Sequence, residues 1–410
     1  MIKKNNRKIN EPQGFRLSGR LLQPPVVRPD AGTDSKEIAL RIAMFGHKRI
    51  PSREGGVEIV VGELSSRMAA LGHDVVCYNR GGHHVGGAEY DAEMIVDYRG
   101  VRVKTVATLD KKGLAAVSSS FFAAVCAAFS RAEVVHIHAE GPAFMCWLPR
   151  LLGKRVVVTV HGLDWQREKW KGGFGAKYIR LGEKMAVRFA HEIIVLSRNV
   201  QQYFHDTYGR ETVWIPNGVN CPDILPAQEI SGEFGIEKDS YILFLGRLVP
   251  EKGIHYLIEA FRNVKTEKKL VIAGGGSDTD EYVLRLKELA AEDSRICFAG
   301  FVQGQTLEEL YSNAYTYVLP SDVEGMPLSL LEAMSHGNCC VVSDIPECVE
   351  VVEDHAVVFE KGSIPGLCAA LQQLCDHPEQ TAGYKNSARS FICRKYDWDD
   401  VTKKTLELYQ

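Results

Sequence analysis

Two carboxylates eight residues apart, Glu324 and Glu332, lie in the segment SDVEGMPLSLLEAMSHG. Carboxylates accept hydrogen bonds from sugar and ribose hydroxyls, and backbone amides at a helix entrance can serve the same ligand. Glu324 falls in the loop after the strand-like AYTYVLP. Pro327 reads as the first residue of a helix that carries Glu332 in its second turn, with Gly325 and Met326 at its entrance. Upstream, GRLVPEKG places Arg247 just after a strand and Lys252 five residues on, before a helix opening near Gly253. A planar guanidinium fork beside a compact ammonium suits a diphosphate. A third element is the pair Gly55 and Gly56 ahead of a helix beginning near Val57, where backbone N–H groups can approach an anion. The spacing is not G-x-G-x-x-G, and Asn79 stands near the place where a dinucleotide site needs an acid, which argues against a simple NAD enzyme.

These residues need strands to carry them. From Glu37 the chain alternates short β-branched runs with longer helical stretches, the pattern of a parallel sheet covered by helices. The first half reads as strands at 39–46, 74–79, 101–107, 133–138, 155–160 and 192–197, with helices over 57–71 and 176–190 among them. The cluster IPNGVNCPDILP after Trp214 reads as a linker. The second half repeats the grammar at 241–246, 269–276, 295–300, 314–320, 338–343 and 356–360. The expectation is two doubly wound α/β domains, with ligands in the cleft at the carboxyl ends of the strands. The boundaries are a basic, disordered tail over 1–36, a first domain over 37–218 and a second over 219–396, with a final helix over 397–410.

Composition narrows the function classes. The chain has 410 residues, 45% hydrophobic and 25% charged, and a formal charge of −3, so no global basic field points to nucleic acid. Residues 1–36 carry eight basic and three acidic side chains, leaving the rest of the chain at −8. Eleven scattered cysteines without a C-x-x-C pair argue against a disulfide framework or zinc ribbon. The most apolar window, Gly113 to Phe129, is too short to span a bilayer and reads as a buried or amphipathic helix, so the protein is expected to be cytoplasmic. No metal site is expected. Asp278-Thr279-Asp280 and Asp397-Trp398-Asp399 read as helix starts, and His136 and His138 share a strand face without an evident third ligand. His138, with His83 and His84 in RGGHHVGG, is assigned to the acceptor side of the cleft.

Taken together, the glycine pair, HGLDW after RVVVTV, GRLVPEKG, FAGFV, the Glu-x7-Glu motif and the closing YDWDDVTKKTLELY resemble the retaining glycosyltransferases of family 4, which have the GT-B fold of two Rossmann-like domains. The opening MFGHKRIPSREGGVEIVVGEL is similar to a subgroup containing bacterial capsule and exopolysaccharide rhamnosyltransferases. The resemblance implies that Arg247 and Lys252 bind the donor diphosphate and Glu332 the nucleotide ribose. Glu324 with Gly325, Met326, Pro327 and Leu328 would hold the donor sugar. Gly55 and Gly56 would approach the distal phosphate, His161 the anomeric centre, and Gly246 and Val302 would complete the donor site, with the FAGFV segment bordering the base. It also implies a final helix crossing back to the first domain. The activity implied is transfer, with retention, of a hexose or a deoxyhexose such as rhamnose from a nucleotide diphosphate sugar to a carbohydrate acceptor, lipid-linked, in polysaccharide biosynthesis. The basic tail over 1–36 is a candidate for peripheral contact with an anionic membrane. A nucleotide-sugar 2-epimerase of related architecture and an inactive scaffold are the alternatives. A retaining hydrolase would need two carboxylates flanking the scissile bond, whereas the helical context of Glu324 and Glu332 points them at hydroxyls.

Overall fold

A computed structural model describes residues 39–82, 95–109, 111, 113–167, 170, 173–276 and 280–410. The basic tail, His83, His84 and the Asp278 triplet fall outside the described residues or at their edge.

The β-branched runs form two sheets. The first takes β1 (Arg41–Phe45), β2 (Asp74–Arg80), β3 (Asp97–Tyr98), β4 (Val101–Val106), β5 (Val134–His138), β6 (Arg155–Val160), β7 (Glu192–Val195) and β8 (Val213–Trp214), in the order β3-β4-β2-β1-β5-β6-β7-β8. Only the short β3 runs antiparallel to its neighbour. The second takes β9 (Tyr241–Leu245), β10 (Lys269–Ala273), β11 (Ile296–Gly300), β12 (Thr316–Leu319), β13 (Cys339–Ser343) and β14 (Val357–Phe359), in the order β11-β10-β9-β12-β13-β14, all parallel. Helices cover both faces, so strands such as VVHIH and CCVVS are buried along their whole length. Adjacent Cys339 and Cys340 are therefore core side chains, and burial pushes the Cys339 thiol up to about 12.

The strand order reverses at β1 in the first sheet and at β9 in the second. At such a switch point the flanking connections leave on opposite faces and open a crevice at the strand carboxyl ends. The segments that follow these two strands are the glycine-pair loop and the Arg247–Lys252 loop, so topology alone delivers them to clefts. Among the described residues, no helix is long and apolar enough to cross a membrane.

Two chain segments cross between the halves, side by side. The stretch after β8 pairs with the start of the final helix, Trp398–Glu407: Val219 N–H donates to the Tyr396 carbonyl at 2.7 Å, and Gly218 lies flat against Trp398, leaving no room for a Cβ. Asp397 caps that helix through the amides of Asp399 and Asp400, the role expected from its sequence. The chain end then returns to the first sheet, where Tyr409 hydroxyl meets His136 Nδ1 at 2.6 Å and Arg155 Nε donates to the Leu408 carbonyl. One disulfide, Cys221–Cys393, also joins the two crossings. Its partners are 172 residues apart, so no local cysteine spacing announces the pair.

Trp398 is 2% exposed at this junction. Trp398→Ala is expected to destabilise the protein by about 3–5 kcal/mol, read as a lower urea midpoint.

Candidate functional site

On the first sheet, β1 ends at Gly46, whose φ of +110° and close approach to the His138 carbonyl admit only glycine. The chain then turns through His47, Lys48 and Ile50, pinned by Asn79: its Oδ1 accepts from Ile50 N–H at 3.1 Å and sits 3.0 Å from His47 Nε2, while its Nδ2 donates to the Ile50 carbonyl at 3.0 Å. Asn79 thus anchors this loop. Buried Glu58 accepts from the Lys48 amide at 2.8 Å. Gly55 caps the helix Gly56–Ala70, and a Cβ on Gly56 would stand 3.4 Å from Leu328 Cδ1, so the helix entrance faces the second half directly. Lys48 is held below its usual pKa, first by burial, then in part by Arg247 and Arg80.

Three histidines occupy the ends of β5 and β6. His136 is fixed between Tyr409 and Thr159 Oγ1, the latter at 2.7 Å, and His138 Nδ1 lies 3.1 Å from His161 Nε2. Burial lowers His136 to about 3 and His161 to about 4, the latter against the opposing pull of Asp164. The acceptor-side assignment of His138 needs correction, because its side chain is fully buried behind His161 and cannot touch a ligand in the cleft. Its place is to orient His161. The next residue, Gly162, has φ of +136°, and a Cβ there would sit 2.8 Å from Gly325 Cα. A Cβ on Gly325 would sit 1.7 Å from the His161 carbonyl oxygen. The two halves therefore touch backbone to backbone.

On the second sheet, Gly274, at φ +140°, packs on the Gly246 carbonyl and aligns the ends of β9 and β10. Arg247 follows. Its side chain makes no hydrogen bond or ion pair among the described residues, and its pKa is lowered by burial and then by neighbouring Arg167. Lys252 ends a short turn, Pro250–Lys252, and pairs with Glu324 at 2.5 Å, with the partners only 12% and 9% exposed. Ser321 also donates to Glu324 at 2.6 Å. Pro327 is the N-cap and not the first helical residue: the helix runs Leu328–Ser335, because Pro327 keeps an extended ψ of 100°. Met326 is turned toward the linker, where its Sδ accepts from the Asn217 amide at 3.0 Å. Glu332 receives Tyr311 hydroxyl at 3.3 Å and forms an ion pair with Arg53 of the opposing half. Val302 packs partly buried against the core, and Phe301 beside it is 38% exposed.

The structure thus brings Arg247, Lys252, Glu324 and His161 to one cleft with the Gly56 helix entrance. Sequence reading missed three cations. Arg53 stands two residues before Gly55, Lys48 directly follows His47, and Arg167, paired with Asp164 at 3.0 Å, lies just past HGLDW. Each sits in or next to a quoted segment, but only the fold shows which anion it faces. Among the described residues no three metal-ligating side chains converge.

Residues 54–222 match the glycosyltransferase family 4 model, and residues 227–391 match glycosyl transferases group 1. The chain belongs to the family 4 glycosyltransferases. This glycosyltransferase is 26% identical over 400 residues to alpha-maltose-1-phosphate synthase of Mycobacterium tuberculosis, covering 90% of this chain and 99% of that protein. Its fold matches sucrose-phosphate synthase from Thermosynechococcus elongatus with a TM-score of 0.77 at 20% identity, over 90% of this chain and 98% of the other. It also matches HepE of Anabaena, solved in complex with UDP-glucose, with a TM-score of 0.72 at 17% identity, over 90% and 98% of the two chains. The neighbours establish the GT-B architecture, two Rossmann-like domains.

The glycosyltransferase's buried histidines set a pH expectation. Histidines with folded pKa values depressed to about 3 and 4 bind fewer protons than the unfolded chain, so their contribution to stability is present above the unfolded value near 6.5 and lost as pH falls. Thermal midpoints should drop between about pH 6.5 and 4. His136→Asn should flatten that drop. At the contact between halves, Gly325→Ala should destabilise by roughly 1–3 kcal/mol and reduce turnover by more than about tenfold, measured by calorimetry and by nucleotide release.

Proposed function

We propose that this glycosyltransferase moves a hexose or deoxyhexose, such as rhamnose, from a nucleotide diphosphate sugar to a lipid-linked carbohydrate acceptor, with retention at the anomeric carbon. The observation that carries the reading is Arg247, a half-buried cation at the carboxyl end of β9 with no carboxylate bonded to it among the described residues. A partly desolvated charge without a bonded partner is costly and calls for an anionic ligand. Arg247 therefore receives the donor diphosphate, with Lys252 beside it. As the bond between the anomeric carbon and phosphate oxygen breaks, negative charge builds on the leaving diphosphate, and cations already in place stabilise it without reorganisation.

Glu324 and Glu332 take hydroxyl donors of the sugar and the ribose in exchange for the basic partners they hold in the free protein. The Gly56 helix entrance offers amides to the distal phosphate. His161, neutral above its pKa of about 4, lies against the sugar as a hydrogen-bonding neighbour, oriented by His138. The chemistry in this reading uses side-chain cations and no metal ion. The polysaccharide setting is supported by relatives such as the O-antigen chain mannosyltransferase B of Escherichia coli.

The test is release of nucleoside diphosphate from a panel of nucleotide sugars, with and without a lipid-linked acceptor, with the product's anomeric configuration read by NMR. Acceptor-dependent release with retained configuration is expected. Isomerised sugar without acceptor would mean epimerisation, and an inverted product would remove retention. Lys252→Ala should lower kcat by about 10²–10³-fold. Glu332→Ala should weaken nucleotide binding by about tenfold, the loss of charge-assisted hydrogen bonds worth roughly 1.5–3 kcal/mol, with a smaller effect on kcat. Wild-type kcat in Lys252→Ala would overturn the leaving-group role.

A further inference from the structure

Two carboxyl groups, Glu140 and Glu183, lie buried in the first half, and the transfer chemistry uses neither. Glu140 opens the short helix Glu140–Ala143 just after β5. The residue before it, Ala139, has φ of +74° and ψ of 154°, a conformation that only glycine adopts without strain. Strain of this kind persists where the surroundings hold a neighbouring group in a fixed place.

Glu183 comes from the helix Phe174–Phe189, whose Gly182 lets it close on the Glu140 turn: a Cβ there would stand 1.9 Å from the Glu140 carbonyl oxygen. That close seating brings the two side chains together. Tyr203 and Tyr208 hydroxyls donate to Glu183 Oε2 at 3.0 and 2.6 Å, and the Asp164 amide donates to Glu140 Oε2 at 2.8 Å. Among the described residues, no donor reaches the Oε1 oxygen of either group, and the two carboxyl groups lie within hydrogen-bonding reach of each other. Two buried carboxylates would repel, whereas a carboxyl and a carboxylate can share one proton. The two phenols mark Glu183 as the acceptor and leave Glu140 as the donor. Burial first, then the Asp164 charge and Glu183, hold the Glu140 carboxyl well above its ordinary range.

The group that Glu140 holds is the start of the turn Asp164–Gln166, whose first amide otherwise meets only the Gly162 carbonyl at 3.0 Å. That turn lies between two cleft residues, His161 before it and Arg167 after it. The titratable groups around the pair are Asp164 and Arg167 on the turn, Tyr203 and Tyr208 on the helix Arg198–Tyr208, and Tyr178 and Arg180 on the helix of Glu183. Neither cation bonds the pair: Arg167 is paired with Asp164, and Arg180 lies over the Trp165 ring at 4.1 Å.

We propose that Glu140 and Glu183 share one proton and act together as positioning residues, fixing the turn that sets His161 and Arg167 at the donor. The shared proton stands by itself; the link to turnover rests on the transfer reading above. Glu140 keeps its proton in the folded chain at pH values where the unfolded chain has lost it. Its contribution to stability is therefore full below the unfolded value of about 4.3 and is lost as pH rises. Once the proton leaves, the two carboxylates part and the turn moves with them.

Glu140→Gln tests the proton, because an amide keeps an acceptor for Asp164 and a donor for Glu183 at every pH. The infrared band of a protonated carboxyl group, present in the wild type at neutral pH, should be missing from this variant. Its thermal midpoint should gain on that of the wild type as pH rises above about 4.3. Its kcat should match the wild type at neutral pH and fall less at alkaline pH. Glu140→Leu should lower kcat by about 10²-fold, more than it changes KM, and speed amide hydrogen exchange at Asp164 by about tenfold. An unchanged infrared band, or a midpoint gap that does not widen with pH, overturns the shared proton. Equal alkaline profiles in wild type and Glu140→Gln, or equal losses in the glutamine and leucine variants, overturn the positioning. The glutamine arms hold whether or not the leucine variant folds. If no nucleotide sugar is turned over, the functional reading fails alone, and exchange at Asp164 still decides the positioning.

Discussion

The contact between Gly162 and Gly325 governs the cleft. With no side chain on either residue, the loop after β6 meets the loop after β12 through bare backbone, and the His161 carbonyl rests where a Cβ of residue 325 would be. This sets the separation between the histidine of one half and Glu324 of the other. Any larger residue would wedge the loops apart and move every cross-cleft distance together. The crossings at Gly218 and Trp398 act on the opposite side of the same problem, joining the halves without closing the mouth where ligands enter.

Within that frame the free protein balances most of its own charge. Lys252 rests on Glu324, Arg53 on Glu332 and Arg167 on Asp164, so three of the cations near the cleft hold carboxylates. Arg247 and Lys48 hold none among the described residues, and Arg247 is half-buried and crowded by Arg167. In the proposed function a bound diphosphate takes the cations by exchange, and the released carboxylates accept the hydroxyls of the same ligand. On that reading donor binding needs both chemistries at once, which favours a nucleotide sugar over free phosphate or free sugar. In a body of net charge −8 outside the first 36 residues, the fold gathers Lys48, Arg53, Arg167, Arg247 and Lys252 around one cleft.

Much of this was legible in the sequence because parallel strands announce themselves. Runs such as YILFLG and RVVVTV are continuous apolar segments bounded by turns, and the residues just after them, Arg247 and His161, must fall at a sheet edge whatever the strand order. What a linear reading could not supply was pairing across the cleft. Arg53 and Glu332 are 279 positions apart, and Tyr409 and His136 are 273 apart, so no local period connects them. The same limit explains His138. Alternation correctly put it on one face with His136, but that face turned out to be covered by the returning chain end and by His161. Pro327 shows a smaller limit: proline is compatible with both the cap and the first turn, and only ψ distinguishes them.

The helix Leu114–Ala128 carries the lesson furthest. Its hydropathy fits a buried or an amphipathic helix, and the structure shows the second, with the largest side chains left outside. The inner face must pass close over the sheet and beside the pocket formed by Lys48 and Arg80, and alanine and serine are what that close approach admits. Large apolar groups placed inside would have filled the pocket. An apolar segment is thus ambiguous until one knows which of its faces is crowded, and here β1, β2 and the short helices Glu140–Ala143 and Trp147–Leu151 pack against the helix and admit only alanine and serine at its buried positions.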